Sequence, residues 1–178
     1  MSAIELPSSP RLLFGRWTAA DLEDALLLWG DPRVTAFIHA EDRLSRAQVE
    51  ARLATEIENE RGHGIQYWRL RLRGTDDLVG CAGLKPRPAE PDVLELGFHL
   101  RPAFWGLGLA TEAARAVVAH AFGPLKVAAL FAGHHPDNTA SERVLEKLGF
   151  ERTGEELFPP TGLLHPAYRL EADRRPAP

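Results

Sequence analysis

Two glycines one residue apart, Gly106 and Gly108, interrupt the stretch FWGLGLATEA at residues 104–113. The run before them, VLELGFHL at 93–100, reads as a strand. After them Ala110, Ala113, Ala114, Val117, Val118 and Ala121 share one helical face of small side chains, able to pack close to a sheet. Glycine inside a helix costs about 1 kcal/mol relative to alanine, so something must offset this pair. Two uses are open. The chain simply turns from strand to helix, or its backbone stays bare so that an anion can reach the unpaired N–H groups of the helix N-terminus. The glycine spacing alone does not separate them.

The rest of the chain supplies a frame for this strand–loop–helix unit. RLLFGRW is a first strand. Thr18 with Asp21 opens a helix with Leu22, Ala25, Leu26 and Trp29 on one face, stopped by Gly30, and Ser45 with Gln48 caps a second helix carrying Val49, Leu53 and Ile57. Three strands follow, IQYWRLRL, DLVGCAGL and VLELGFHL, separated by RGTDD and KPRPAEPD. Beyond the glycine helix, KVAALFAGH is an apolar strand covered on both faces. Thr139 and Glu142 box a last helix that buries Val144, Leu145 and Leu148 and ends at Gly149. FERTGEEL and HPAYRLEA complete the order β-α-α-β-β-β-α-β-α-β-β. Strands and helices interleave late but not early, which predicts an α/β (α+β) domain with a mixed sheet covered by helices. At 178 residues the chain suits one domain spanning 1–178, with a core over about 10–171 and frayed ends.

Several classes of chemistry are disfavoured. A dinucleotide loop wants Gly or Ala where Thr111 stands, and an acidic residue ending the next strand, which KVAALFAGH lacks. No Gly-Lys-Ser/Thr is present for a nucleoside triphosphate loop. The net charge is −4 and the basic residues are scattered, which argues against nucleic acid or an anionic membrane surface as partner. The start MSAIELPSSP has neither a basic nor an apolar region of a signal peptide, and no apolar run nears the length of a membrane span. With Cys81 the sole cysteine, these features predict a cytoplasmic protein. His99, His134 and His135 lack the cysteines or close carboxylate spacing of a zinc site, so no metal is expected. Cys81 sits between Gly80 and Ala82 in an apolar strand; it reads as a packed core thiol rather than an acyl-carrying nucleophile.

LELGFHLRPAFWGLGLATEA, followed by HPDNTASERVLEKLGF, resembles the GNAT superfamily of N-acetyltransferases, within it the branch of ribosomal-protein (Rim-type) N-terminal acetyltransferases. The resemblance runs from RLLFGRW to HPAYRL. It implies a mixed, mostly antiparallel sheet with an acyl-CoA cleft between two splayed central strands, and acetyl transfer from acetyl-CoA, as cosubstrate, to a primary amine, in a monomer or homodimer. The family's Gln/Arg-x-x-Gly-x-Gly/Ala loop maps to Trp105, Gly106, Leu107, Gly108, Leu109 and Ala110, with Trp105 departing from Gln/Arg. The implied roles follow: backbone N–H groups from Gly106 to Thr111 around the CoA pyrophosphate, Phe98, His99 and Leu100 as a strand edge along the pantetheine arm, and Asn138 hydrogen-bonded to that arm. Glu95 corresponds to a base acting directly or through water, and Gly97 to a bulge that splays the strands. The tyrosine many members use to protonate the thiolate is replaced by Leu145, leaving Ser141 as the nearest hydroxyl. HAEDR and LFPPTGLLHP would wall the acceptor side, with Glu41 and Asp42 as an acidic lining and His99 beside it. A CoA-binding module without catalysis, and an enzyme using another acyl group or acceptor, remain as alternatives.

Overall fold

The computed structural model describes residues 5–41 and 43–174, so the expectation placed on Asp42 lies outside the described residues. Seven strands form one sheet: β1 (Leu12–Gly15), β2 (Tyr67–Leu72), β3 (Leu78–Pro86), β4 (Val93–Leu100), β5 (Ala129–Gly133), β6 (Glu151–Phe158) and β7 (Leu163–Glu171). They lie in the order β1-β2-β3-β4-β5-β7-β6, antiparallel throughout except where β4 and β5 run parallel. Helices α1 (Leu22–Trp29), α2 (Pro32–Thr35) and α3 (Arg46–His63) precede β2; α4 (Leu109–Phe122) joins β4 to β5, and α5 (Thr139–Lys147) follows β5. Among the described residues no helix is long and apolar enough to cross a membrane.

The expected capping boxes at Thr18/Asp21 and Ser45/Gln48 are both present. One helix was not anticipated. Asp31 accepts the Arg33 N–H and Pro32 takes the first helical position, which starts the single turn of α2. The box expected at the start of α5 is corrected. Asn138 is the N-cap, its side-chain carbonyl accepting the Ser141 N–H at 3.1 Å, so Thr139 is already helical; Glu142 accepts instead from the Tyr168 hydroxyl.

The sheet divides the core. On one face α4 buries Leu109, Ala113, Ala114, Val117 and Ala121 against Trp68, Leu70, Leu84 and Leu96. Removing each such leucine from water contributes roughly 1.5–3 kcal/mol, and the alanines let helix and sheet approach closely. On the other face Trp17, Leu28, Trp29, Val49 and Leu53 pack with Tyr67 and Cys81. A buried polar seam ties this layer to β2. The Gln66 side chain accepts the Trp17 N–H, the Trp17 indole donates to the Tyr67 carbonyl at 2.6 Å, and the Tyr67 N–H donates to the buried Glu56 carboxyl at 2.8 Å. Tyr67 is thereby fixed, which matters for the site.

Candidate active site

The parallel pairing of β4 with β5 covers only Val93↔Ala129, Leu94↔Leu130 and Glu95↔Phe131. Past Glu95 the two strands part, and a cavity of about 610 Å³ opens. Its lining includes Glu95, Phe98, His99, Asn138, Ser141 and Leu145. The sheet thus brings together residues up to 50 positions apart in sequence. Beyond Glu95, one edge of β4 pairs with β3 as far as Leu100 while the other faces the cleft.

Gly97 does not bulge. The β3–β4 register runs unbroken from Gly80↔Leu100 to Pro86↔Leu94, and the sheet's irregularities lie elsewhere, at Leu70/Arg71 and Arg152/Gly154. The strands part because the β4–β5 ladder ends. Glycine is needed at 97 for another reason: a Cβ there would lie 2.1 Å from the Tyr67 hydroxyl oxygen. The Tyr67 ring crosses the Gly97 backbone and lines the cavity. Burial, followed by the charges of Glu95 and Glu56, holds the Tyr67 hydroxyl well above the usual phenol range, so it stays protonated.

Glu95 meets cations that sequence reasoning missed. Its carboxylate lies 2.9 Å from the Lys85 ammonium and 3.9 Å from the Arg87 guanidinium. Arg87 also pairs with Glu90 and Glu156 and stacks on the Phe131 ring at 3.7 Å. Lys85 is the cross-strand partner of Glu95, so only a correct β3–β4 register could have found it.

His99 faces the α1–α3 side, where its Nδ1 accepts from the Trp29 indole at 3.3 Å and lies 3.7 Å from the Cys81 sulfur. Burial, then the positive charges of Arg52 and Lys85, push its pKa well below the ordinary histidine value, so the ring is neutral. Burial also raises the Cys81 thiol, which is wholly inaccessible and packs in the core as expected. His134 and His135 follow the end of β5. Among the described residues no group of three or more His, Cys, Asp or Glu side chains is placed to hold a metal ion.

The glycine loop lies outside the cavity proper, at the N-terminus of α4. Gly106 and Gly108 both have φ of 75°, the left-handed region in which a Cβ is strained, and a Cβ on Gly106 would meet nothing within 4 Å. Gly108 is the N-cap of α4 and supplies no side-chain cap. Among the described residues, the N–H groups of Gly106, Leu107 and Gly108 have no backbone acceptor. Those of Leu109, Ala110 and Thr111 lie in the first helical turn, where no carbonyl four residues back belongs to the helix. Trp105 is half-exposed, and its indole donates to the Leu100 carbonyl at 2.8 Å, tying the loop to the end of β4. Arg11 braces the other side, pairing with Glu112 at 2.6 Å and donating to the Leu107 carbonyl at 3.0 Å. Arg11 lies about a hundred residues earlier in the chain and left no local signal.

The two expected acceptor walls fare differently. Leu157, Phe158, Pro159 and His165 line the cavity, as do Phe37 and Ile38, and the Ala40 N–H donates to the Pro160 carbonyl at 2.8 Å. Glu41 does not line it. Its carboxylate accepts from Gln48 and faces a separate shallow depression, so Glu41 adds no acidic lining to the cavity.

The sheet is mixed, its central parallel pair splits, and the helix that follows β4 begins at a bare, glycine-bearing N-terminus. The chain belongs to the acetyltransferase (GNAT) domain family, whose profile matches residues 11–151. It is 32% identical over 124 residues to the uncharacterized protein YkkB of Bacillus subtilis, covering 69% of this chain and 71% of that one. It is 28% identical to the uncharacterized N-acetyltransferase p20 of Bacillus licheniformis, over 75% of this chain and 77% of the relative. An acetyltransferase of the GNAT family from Bacillus anthracis superposes with a TM-score of 0.79 at 23% identity, covering 94% of this chain and 98% of that one. The fold also matches RimL, a ribosomal L7/L12 α-N-protein acetyltransferase in complex with coenzyme A, with a TM-score of 0.75 at 15% identity over 94% and 98% of the two chains.

Proposed function

We propose that this chain transfers an acetyl group from acetyl-CoA to a primary amine, a peptide α-amino group or a small molecule, by direct attack within the cleft. The observation that carries the reading is the end of the β4–β5 ladder at Glu95↔Phe131, which places a carboxylate at the apex of a cavity bordered by an unpaired strand edge. When bound, acetyl-CoA would supply the activated acetyl thioester. The N–H groups from Gly106 to Thr111 suit its pyrophosphate, because the glycines leave room and the helix dipole favours negative charge. Phe98, His99 and Leu100 offer a strand edge to the pantetheine arm, although the Leu100 carbonyl is engaged by Trp105. The Asn138 carbonyl caps α5, which leaves its NH2 group as the donor for that arm. Glu95 takes a proton from the acceptor's ammonium, directly or through one water, and so frees the amine that attacks. The Lys85 ammonium competes for the same carboxylate and must yield to the acceptor as it arrives. Ser141 is the hydroxyl for the departing thiolate, with Leu145 buried in the tyrosine's place.

That leucine also favours a second reading, a CoA-binding module without catalysis. One experiment separates them: release of CoA thiol from acetyl-CoA over a panel of amines and peptide N-termini. Turnover with any amine supports the enzyme; a CoA-induced thermal shift with no thiol release from any acceptor supports the module.

A further inference from the structure

Three cationic side chains line the cavity, and two are already neutralised. Lys85 is paired with Glu95, and Arg87 with Glu90 and Glu156. The third, Arg52 on α3, makes no ion pair or hydrogen bond among the described residues, and its Nε is a fully buried donor without a partner. Its guanidinium is held in place by stacking over Trp29, 4.8 Å from the ring centroid. Trp29 is itself wholly buried and donates to His99, so the platform is rigid. The one acidic neighbour on the same helix face, Glu56, accepts the Tyr67 N–H, and although it feels the Arg52 charge it forms no direct ion pair with it. Burial raises the Glu56 pKa, followed by an opposing effect from the Arg52 charge, so this carboxyl is a poor counter-ion. Arg52 as a whole is only half-buried, but a buried N–H donor left unused is costly unless something completes it.

We propose that the acceptor is a small amine carrying a carboxylate, with the carboxylate held by Arg52, the amine toward Glu95 and an apolar remainder against Phe37, Ile38 and Phe158. The proposal rests on the acyl-transfer reading above and narrows its acceptor. A planar guanidinium fixed on an aromatic face matches a carboxylate through paired, charge-assisted hydrogen bonds. The charge balance selects a monoanion. One free cation faces the ligand, while Glu95 and Glu156 line the same cavity and oppose a more highly charged group such as a phosphate. Thr55 and Asn59, one and two helical turns along α3, add polar groups beside Arg52.

The test compares leucine with leucinamide as acceptors in wild type, Arg52→Gln and Arg52→Lys. The two amines differ in basicity, but that difference cancels when the ratio of their kcat/KM values is compared between proteins. The expected result is a ratio that falls at least tenfold in Arg52→Gln, through KM, and is partly kept in Arg52→Lys. A second measurement needs no variant. 4-Methylpentanoate should inhibit wild type, in competition with the amine, at least tenfold more tightly than 4-methylpentanamide. Equal inhibition by the two, or an unchanged acid-to-amide ratio in Arg52→Gln, overturns the proposal. If amines are acetylated with no such discrimination, the carboxylate assignment alone falls. If no amine releases thiol from acetyl-CoA, acyl transfer falls with it.

Discussion

Replacing Gly97 with alanine should damage this protein out of proportion to one methyl group. The new Cβ would stand 2.1 Å from the Tyr67 hydroxyl oxygen, 2.3 Å from Cζ and 2.7 Å from Cε2. Ordinary carbon contacts are about 3.5–4.0 Å, so the ring must leave. It has little room to do so. Tyr67 is 5% exposed, its carbonyl and N–H are held by Trp17 and Glu56, its backbone is paired with Gly83, and its ring lies edge-on to His99. Overpacking typically costs about 1–3 kcal/mol, and this site, where a ring held by its buried backbone can shift only toward the cavity, belongs at about 3 kcal/mol. For a chain of this size each kcal/mol moves Tm by about 2–4 °C, which predicts a fall of about 6–12 °C. The assay is urea unfolding paired with calorimetry, with Gly106→Ala as comparison, since a Cβ there meets nothing and costs only left-handed strain of about 1–2 kcal/mol. In a Tyr67→Ala background the Gly97→Ala cost should drop below about 1 kcal/mol, as expected for residues in direct contact. A Gly97→Ala protein within about 0.5 kcal/mol of wild type, or an equal cost in both backgrounds, would refute the packing argument.

Gly108→Asp should abolish the thermal shift produced by CoA, which at 100 times the dissociation constant is about 2.7 kcal/mol in the native protein; a full shift in the variant removes the loop from the binding site. Glu95→Gln should lower kcat at least about tenfold at neutral pH with CoA binding intact, and regain rate at high pH where free amine is already present. A wild-type pH–rate profile in that variant assigns proton removal to water or another group. Stability should fall as pH drops below about 6.5, because His99 is held neutral in the fold, so the unfolded chain binds more protons there. One such proton gives a slope of at most about 1.4 kcal/mol per pH unit, and His99→Asn, which keeps an acceptor for Trp29, should flatten it. His120 and His165 are shifted the same way by burial and retain the remaining slope.

The features legible from the residues alone are local ones. The capping boxes of Thr18 and Ser45, the strand Val93–Leu100 and the small-residue face of α4 follow from short-range spacing, because a helix or strand period repeats within a few residues. The glycine pair was legible for the same reason: left-handed φ at 106 and 108 is a property of those residues. Local pattern misjudged two neighbours of the site. Thr139 and Glu142 have the spacing of a box, yet the stronger cap is Asn138 one residue earlier. Gly97 looked like a bulge, but its cause is a tyrosine 30 residues away in sequence. Tertiary structure alone decided what surrounds the chemistry. The pairing of Glu95 with Lys85 depends on the β3–β4 register, the bracing of the glycine loop on Arg11, just before β1, reaching α4, and the unneutralised charge of Arg52 on which carboxylates the sheet delivers to its neighbours. Charges, unlike helical periods, act through space, and where each finds its partner is settled only when the strands have aligned.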